Sequence, residues 1–310
     1  MSVSANSDSL ELRWEDVTFE VDTKGGPRKL LTNVSGSVAG GQLLAVMGPS
    51  GSGKSTLLDL LAGRSQAGRL SGSVTINGEP RTEASRSYTS YVAQEDTLMG
   101  VFTVRETLEF TASLKLPLRM SKDEKARRVS KLIDDMGLAI ATDTRVGTIF
   151  FKGISGGQKR RLSVAVELIS QPRLLYLDEP TSGLDAASAL SIVTLLKGLT
   201  ESQGIAIMAT IHQPASELWQ SFEKLLLLVR GETVFFGGAA DALGFFERQG
   251  HVCPPLSNPA DFLLAKVNTD FPGAADVPAL VAAFAAENSS ATGSGSAGAA
   301  GGGKGAVDQG

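Results

Sequence analysis

The chain has 310 residues, 42% of them hydrophobic and 20% charged, an ordinary globular composition with room for one large or two small domains. Its formal net charge of −4 argues against nucleic acid as a partner, and its single cysteine, Cys253, excludes an internal disulfide and fits a reducing compartment. With only His212 and His251 besides, there are too few soft ligands for a structural zinc site. No apolar run approaches the roughly 18–20 residues that cross a bilayer, so the chain as given is expected to be soluble.

Residues 1–9 carry no apolar signal core and are expected to be disordered. Apolar residues then recur mostly with period two at Leu12, Trp14, Val17, Phe19 and Val21, which predicts a strand, and a second strand follows over residues 29–38. The apolar run Gln42 to Met47 is short enough for a buried strand, and a helix is predicted from Ser55 to Leu61. Between them lies Gly48-Pro49-Ser50-Gly51-Ser52-Gly53-Lys54-Ser55-Thr56, which fits G-x-x-x-x-G-K-[ST] in the strand–loop–helix context that this motif requires. Glycines let successive backbone N–H groups converge on phosphate oxygens, and the helix start adds about half a positive charge. Lys54 is then expected at the β- and γ-phosphates, with the Ser55 hydroxyl on Mg²⁺.

Further on, a strand at 73–76 precedes the tight-turn pair Asn77-Gly78, and a short strand over 88–93 ends at Gln94. The pattern then turns helical. Thr103 and Glu106, and again Ser121 and Glu124, are spaced as capping boxes; the second helix places Ala126, Val129, Leu132, Ile133 and Met136 on one face and stops at Gly137. A third helix opens at Ser155-Gly156-Gly157-Gln158, which taken alone reads as a capped helix with a glycine-rich start. The apolar strand Leu174 to Leu177 ends in Asp178-Glu179-Pro180, two adjacent carboxylates suited to holding Mg²⁺ and to polarising a water. Asp185 is the expected cap of a helix reaching about Leu199; a buried strand over 205–211 ends at His212; residues 224–236 read as a hairpin turning at Arg230-Gly231; helices follow over 240–249 and from Asn258-Pro259 to Val267. The Gly/Ala-rich stretch 271–310 is expected to be a linker-like tail, disordered from about residue 288.

The P-loop, Gln94, Ile154-Ser155-Gly156-Gly157-Gln158, the Asp178-Glu179 strand, Ser182-Gly183-Leu184-Asp185 and His212 occur in one order that resembles the ATP-binding cassette (ABC) ATPases. Residues 153–161, 178–185, 210–214 and 258–262 are similar to the White-type, or ABCG, half-transporters. The resemblance covers roughly residues 10–267. It implies an α/β fold: a P-loop NTPase core in a nucleotide-binding domain over residues 10–270, with an antiparallel β subdomain and a helical signature subdomain over about 95–171. It also implies ATP and Mg²⁺ as ligands. By matching position, Gly48 to Thr56 would cradle the phosphates; Ser55, Gln94 and Asp178 would serve Mg²⁺; Glu179 would be the general base; and His212 would contact the γ-phosphate. Ser155, Gly156, Gly157 and Gln158 would close on the ATP of a second nucleotide-binding domain, with Asp185 at that interface. The family's aromatic adenine contact matches Val21 here, which implies apolar contact in place of ring stacking. The resemblance further implies an ATP-hydrolysing exporter domain that works head to tail at the cytoplasmic face of a membrane, beside a transmembrane domain outside this stretch. A soluble, non-transport ABC ATPase and a binding-only regulatory cassette are the alternatives. The single cassette speaks against the first, and the presence of Glu179 and His212 against the second.

Overall fold

The computed structural model describes residues 10–64, 67–148, 150–269 and 273–293, with side chains as far as residue 288. The disorder expected for residues 1–9, and that for residues 294–310, therefore concerns stretches outside the described residues. The chain begins with a long antiparallel hairpin, β1 (Glu11–Thr23) and β2 (Gly26–Ala39). Next come β3 (Leu43–Met47) and α1 (Lys54–Leu61), then β4 (Arg69–Ile76), which pairs with β1, and the short β5 (Glu79–Pro80). Asn77 and Gly78 join β4 to β5 with φ of 54° and 80°, the two left-handed residues of a tight hairpin turn. These strands form a four-stranded sheet in the order β2-β1-β4-β5, the expected antiparallel subdomain.

The second sheet has six strands in the order β10-β9-β3-β8-β7-β6. Here β6 is Thr89–Val92, β7 Leu174–Leu177, β8 Ala206–Thr210, β9 Lys224–Val229 and β10 Glu232–Gly238. From β9 to β6 the neighbours are parallel, and only β10 returns antiparallel beyond the turn at Arg230 and Gly231. All residues of β3, β7 and β8 are buried, as expected of strands covered on both faces. Their side chains alternate between two cores. Leu43, Ala45, Met47, Leu175, Leu177, Ile207 and Ala209 pack with the helices of one side, while Leu44, Val46, Leu174, Tyr176, Ala206 and Met208 pack with α1 and the antiparallel sheet on the other.

Between β6 and β7 lie α2 (Val104–Lys115), α3 (Lys122–Asp135) and α4 (Gly156–Leu168), the expected helical segment. Both capping boxes form: Thr103 Oγ1 accepts from the Glu106 amide at 3.1 Å, and Ser121 Oγ from that of Glu124 at 3.2 Å. On α3, Val129, Ile133 and Met136 are buried and Leu132 partly so, but Ala126 is exposed, because the apolar stripe is narrower than its spacing implied. Beyond β7, α5 (Ala186–Gln203) runs past Leu199 and stops at Gly204, whose φ is 65°. The short α6 (Ser216–Trp219), absent from the sequence reading, precedes β9. The helices α7 (Ala242–Arg248) and α8 (Pro259–Val267) follow the hairpin.

The tail departs from expectation. Residues Val277–Gly293 form a helix, α9, so the stretch 288–293 is helical. Val277 and Leu280 are buried, and the Phe284 ring lies 5.9 Å from that of Phe235 and 6.0 Å from that of Phe245. Arg248 and Glu287 form an ion pair at 2.9 Å on its flank. These apolar residues recur at helical spacing within an alanine-rich segment, so a composition that resembles a linker still presents one face to the core.

Candidate functional site

The parallel arrangement brings chemistry to one edge of the sheet. β3, β8, β7 and β6 are neighbours, and at their C-terminal ends lie, in turn, the glycine loop, His212, Asp178-Glu179 and Gln94. Ligands of open α/β sheets bind at this edge.

The loop 48–53 is pinned from below. Gly48 has φ 151°, and a methyl group there would stand 2.0 Å from the Leu228 carbonyl oxygen of β9. Gly53, at φ 100°, lies against Leu31 and the Leu30 carbonyl of β2, where a methyl group would come within 2.8 Å. The Gly231 amide donates to the Ser52 carbonyl at 3.0 Å, so the β9–β10 turn fixes the loop from a third side. Lys54, only 6% exposed, donates its ammonium to the carbonyls of Gly48 and Pro49, each at 2.9 Å. Burial pushes its pKa below the ordinary lysine value, while the Glu179 and Asp178 carboxylates hold it up. Ser52 Oγ is buried with no partner among the described residues. A desolvated cation, an unpartnered hydroxyl and the N-terminus of α1 fit a polyphosphate.

Asp178 is 8% exposed and serves as the hub of the acid cluster. Its Oδ1 accepts from Ser55 Oγ at 3.0 Å and from Thr210 Oγ1 at 2.7 Å. Thr210 Oγ1 in turn accepts from the Glu179 amide at 2.7 Å, and Gln94 donates its side-chain amide to Glu179 Oε2 at 2.8 Å. Glu179 itself has φ 45°, the left-handed region. A hydroxyl, a carboxylate and a side-chain amide side by side form a hard oxygen donor set of the kind that suits Mg²⁺. The structure thus brings Lys54, Ser55, Gln94, Asp178 and Glu179 together. His212 is exposed at the same edge, one strand from each acid and from the loop.

Ser155, Gly156, Gly157 and Gln158 lie elsewhere, at the start of α4. Ser155 Oγ accepts from the Gln158 amide at 3.2 Å, and the Gln158 side-chain oxygen accepts from the Ser155 amide at 2.9 Å, a closed capping box. Gly156 and Gly157 pack beside Leu184 and Ser188 at the head of α5, which Asp185 caps by accepting from the Ser188 amide at 2.8 Å. Ser155, Gly156 and Asp185 are exposed. Val21 is half-buried against the core that holds β1 and β2, while Phe19 is buried in that core, 1% exposed.

Sequence reasoning gave no role to Thr210 or to Arg160. The signal for Thr210 was its place as the last residue of β8, directly across from the strand that ends in Asp178.

A glycine loop and an acid cluster at one sheet edge, with the capped start of α4 exposed, form the arrangement that the resemblance to the ATP-binding cassette ATPases implies. Residues 31–182 match the ABC transporter family model. The chain is 46% identical over 85% of its length to ABC transporter G family member 11 of Arabidopsis thaliana, and 43% identical over 84% to the broad substrate specificity ATP-binding cassette transporter ABCG2 of Sus scrofa. It spans 37% and 40% of the length of those two relatives. A dimeric ATP-binding cassette, MJ0796, solved in a post-hydrolysis state with ADP and Pi, shares the fold at a TM-score of 0.62, with 24% identity over 74% of this chain and 98% of that one. Residues 31–182 thus carry the ABC transporter domain, and the relatives that the chain matches over 84–85% of its length are transporters of the ABCG type. Among the described residues, no helix is long and apolar enough to cross a membrane.

Proposed function

We propose that this chain binds ATP with Mg²⁺ and hydrolyses it to drive an ABCG-type exporter. The observation that carries the reading is the Asp178 hub: one carboxylate oxygen joins Ser55 of the P-loop helix to the strand end that presents Glu179, and Glu179 is held in turn by Gln94. Gly48, Pro49, Ser50, Gly51, Ser52, Gly53 and Thr56 surround the phosphates, and the buried Lys54 ammonium faces the β- and γ-phosphates. Ser55, Gln94 and Asp178 would hold Mg²⁺, which would supply charge neutralisation at the phosphates. Glu179 takes the proton of the attacking water, and His212 meets the γ-phosphate. Val21 offers apolar contact to adenine. Ser155, Gly156, Gly157 and Gln158 close on the ATP held by a second copy or a related domain, with Asp185 at that interface. In the whole transporter the domain works at the cytoplasmic face, below a transmembrane domain.

Two variants test the reading. Glu179→Gln keeps ATP binding and loses turnover by about 10²–10⁴-fold, the usual worth of a general base. Lys54→Ala loses ATP affinity by calorimetry while its thermal melt stays cooperative. Phosphate release by Glu179→Gln within a few-fold of the parent rate would remove the base assignment.

A further inference from the structure

Arg160 sits on the second turn of α4 and is 4% exposed, among the most deeply buried charges of the domain. Its guanidinium is spent on two loops at once. Nη2 donates to the carbonyls of Asp178 at 2.8 Å and Glu179 at 3.1 Å, and Nε to that of Pro180 at 3.2 Å. Nη1 donates to the carbonyls of Ala93 at 2.7 Å and Gln94 at 3.2 Å, and to Asp96 Oδ1 at 3.2 Å. One turn further along the same helix face, Ser163 Oγ donates to that Asp96 oxygen at 2.7 Å. The loop after β6 and the loop after β7 are thereby fastened to one another and to the helix that starts at Ser155.

We infer that Arg160 is a positioning residue for hydrolysis: it ties the signature helix to the two loops that carry Gln94 and Glu179, and so sets the placement of the Gln94–Glu179 pair. This rests on the reading of Glu179 as the base. The chemistry favours arginine. Its planar fork carries five N–H donors and reaches acceptors on both sides, whereas the three donors of a lysine ammonium radiate from one point and cannot span both loops. Glu179 is held at φ 45°, a conformation that persists only where its surroundings fix it, and the Arg160 bonds to the carbonyls on either side of that residue supply part of that fixing. The Lys54 ammonium bonds to the Gly48 and Pro49 carbonyls, outside this brace, so the main charge contact to the phosphates does not depend on it.

The test is a double-mutant cycle with a kinetic split. Arg160→Lys is expected to lower kcat on the order of 10²-fold, the effect of misplacing a reacting group by about 1 Å, while ATP affinity measured by calorimetry stays within about twofold. In a Glu179→Gln background the same change is expected to lower the residual rate by less than about twofold, because Arg160 acts through Glu179. Ser163→Ala, which removes only the tie to Asp96, is expected to lower kcat several-fold with affinity kept, and it decides the matter if Arg160→Lys fails to fold. Three results would overturn the inference: full turnover by a folded Arg160→Lys, a joint loss of kcat and ATP affinity, or an undiminished effect of Arg160→Lys when Glu179 is already Gln. The underlying base assignment fails separately, by normal turnover of Glu179→Gln alone.

Discussion

At Gly48 the site depends on a missing methyl group. Both the positive φ and the 2.0 Å approach to the Leu228 carbonyl exclude a Cβ, and the obstacle is backbone of a central strand, which cannot step aside. Gly48→Ala is therefore expected to push the loop off β9 and to weaken ATP binding by at least tenfold, with Gly51→Ala milder because its Cβ would meet nothing within 4 Å. Isothermal titration of both variants checks the order. Glycine positions and the lysine were legible in the sequence because their spacing is local. Thr210 and Arg160 were not. Each acts across the fold, Thr210 on the acids 31 and 32 residues before it and Arg160 on loops 64–67 residues before and 18–20 residues after it, and no local pattern records such a contact.

Elements with a strong local code were read well from the sequence. The helices α2, α3, α4 and α8 begin at residues whose side chains accept from the first-turn amides, and the tight turns at Asn77-Gly78 and Arg230-Gly231 stand where their residues placed them. The weakest code gave the largest departure. Helix α9 is rich in alanine and merges into glycine and serine, so its composition hid the contacts of Val277, Leu280 and Phe284. Phe284 meets Phe235 of β10 and Phe245 of α7, which makes α9 a part of the folded domain. Phe284→Ala is expected to cost ~2 kcal/mol, below the value for a fully buried ring because the residue is half-buried. Urea titration followed by tryptophan fluorescence measures it, and an unchanged midpoint would return α9 to the status of a loosely attached tail.

At the scale of the whole molecule, the motifs told which strand ends carry chemistry but not the strand order. That order is fixed by packing between segments distant in sequence, such as β3 between β8 and β9. The proposed function needs two half-sites. Lys54, Asp178 and Glu179 stand at the C-terminal edge of the six-stranded sheet, while Ser155 and Gly156 are exposed at the head of α4, beside the Asp185 cap of α5. A second chain related by a two-fold axis could present its α4 start to the phosphates of the first and receive the same in return, an isologous pairing. Nucleotide would then form much of the contact, so the pair should assemble only with ATP and dissolve after hydrolysis. The variant that tests this must spare the helix cap. Replacing Ser155 would remove the oxygen that accepts from the Gln158 amide, whereas Gly156 is exposed, and a Cβ there meets only Leu184 at an ordinary 3.7 Å. Sedimentation of Glu179→Gln in Mg-ATP is thus expected to show a concentration-dependent dimer, and Glu179→Gln with Gly156→Arg a monomer that still binds ATP. A dimer that persists with the arginine in place would mean that α4 does not close the partner's site, and the composite-site mechanism would have to be abandoned.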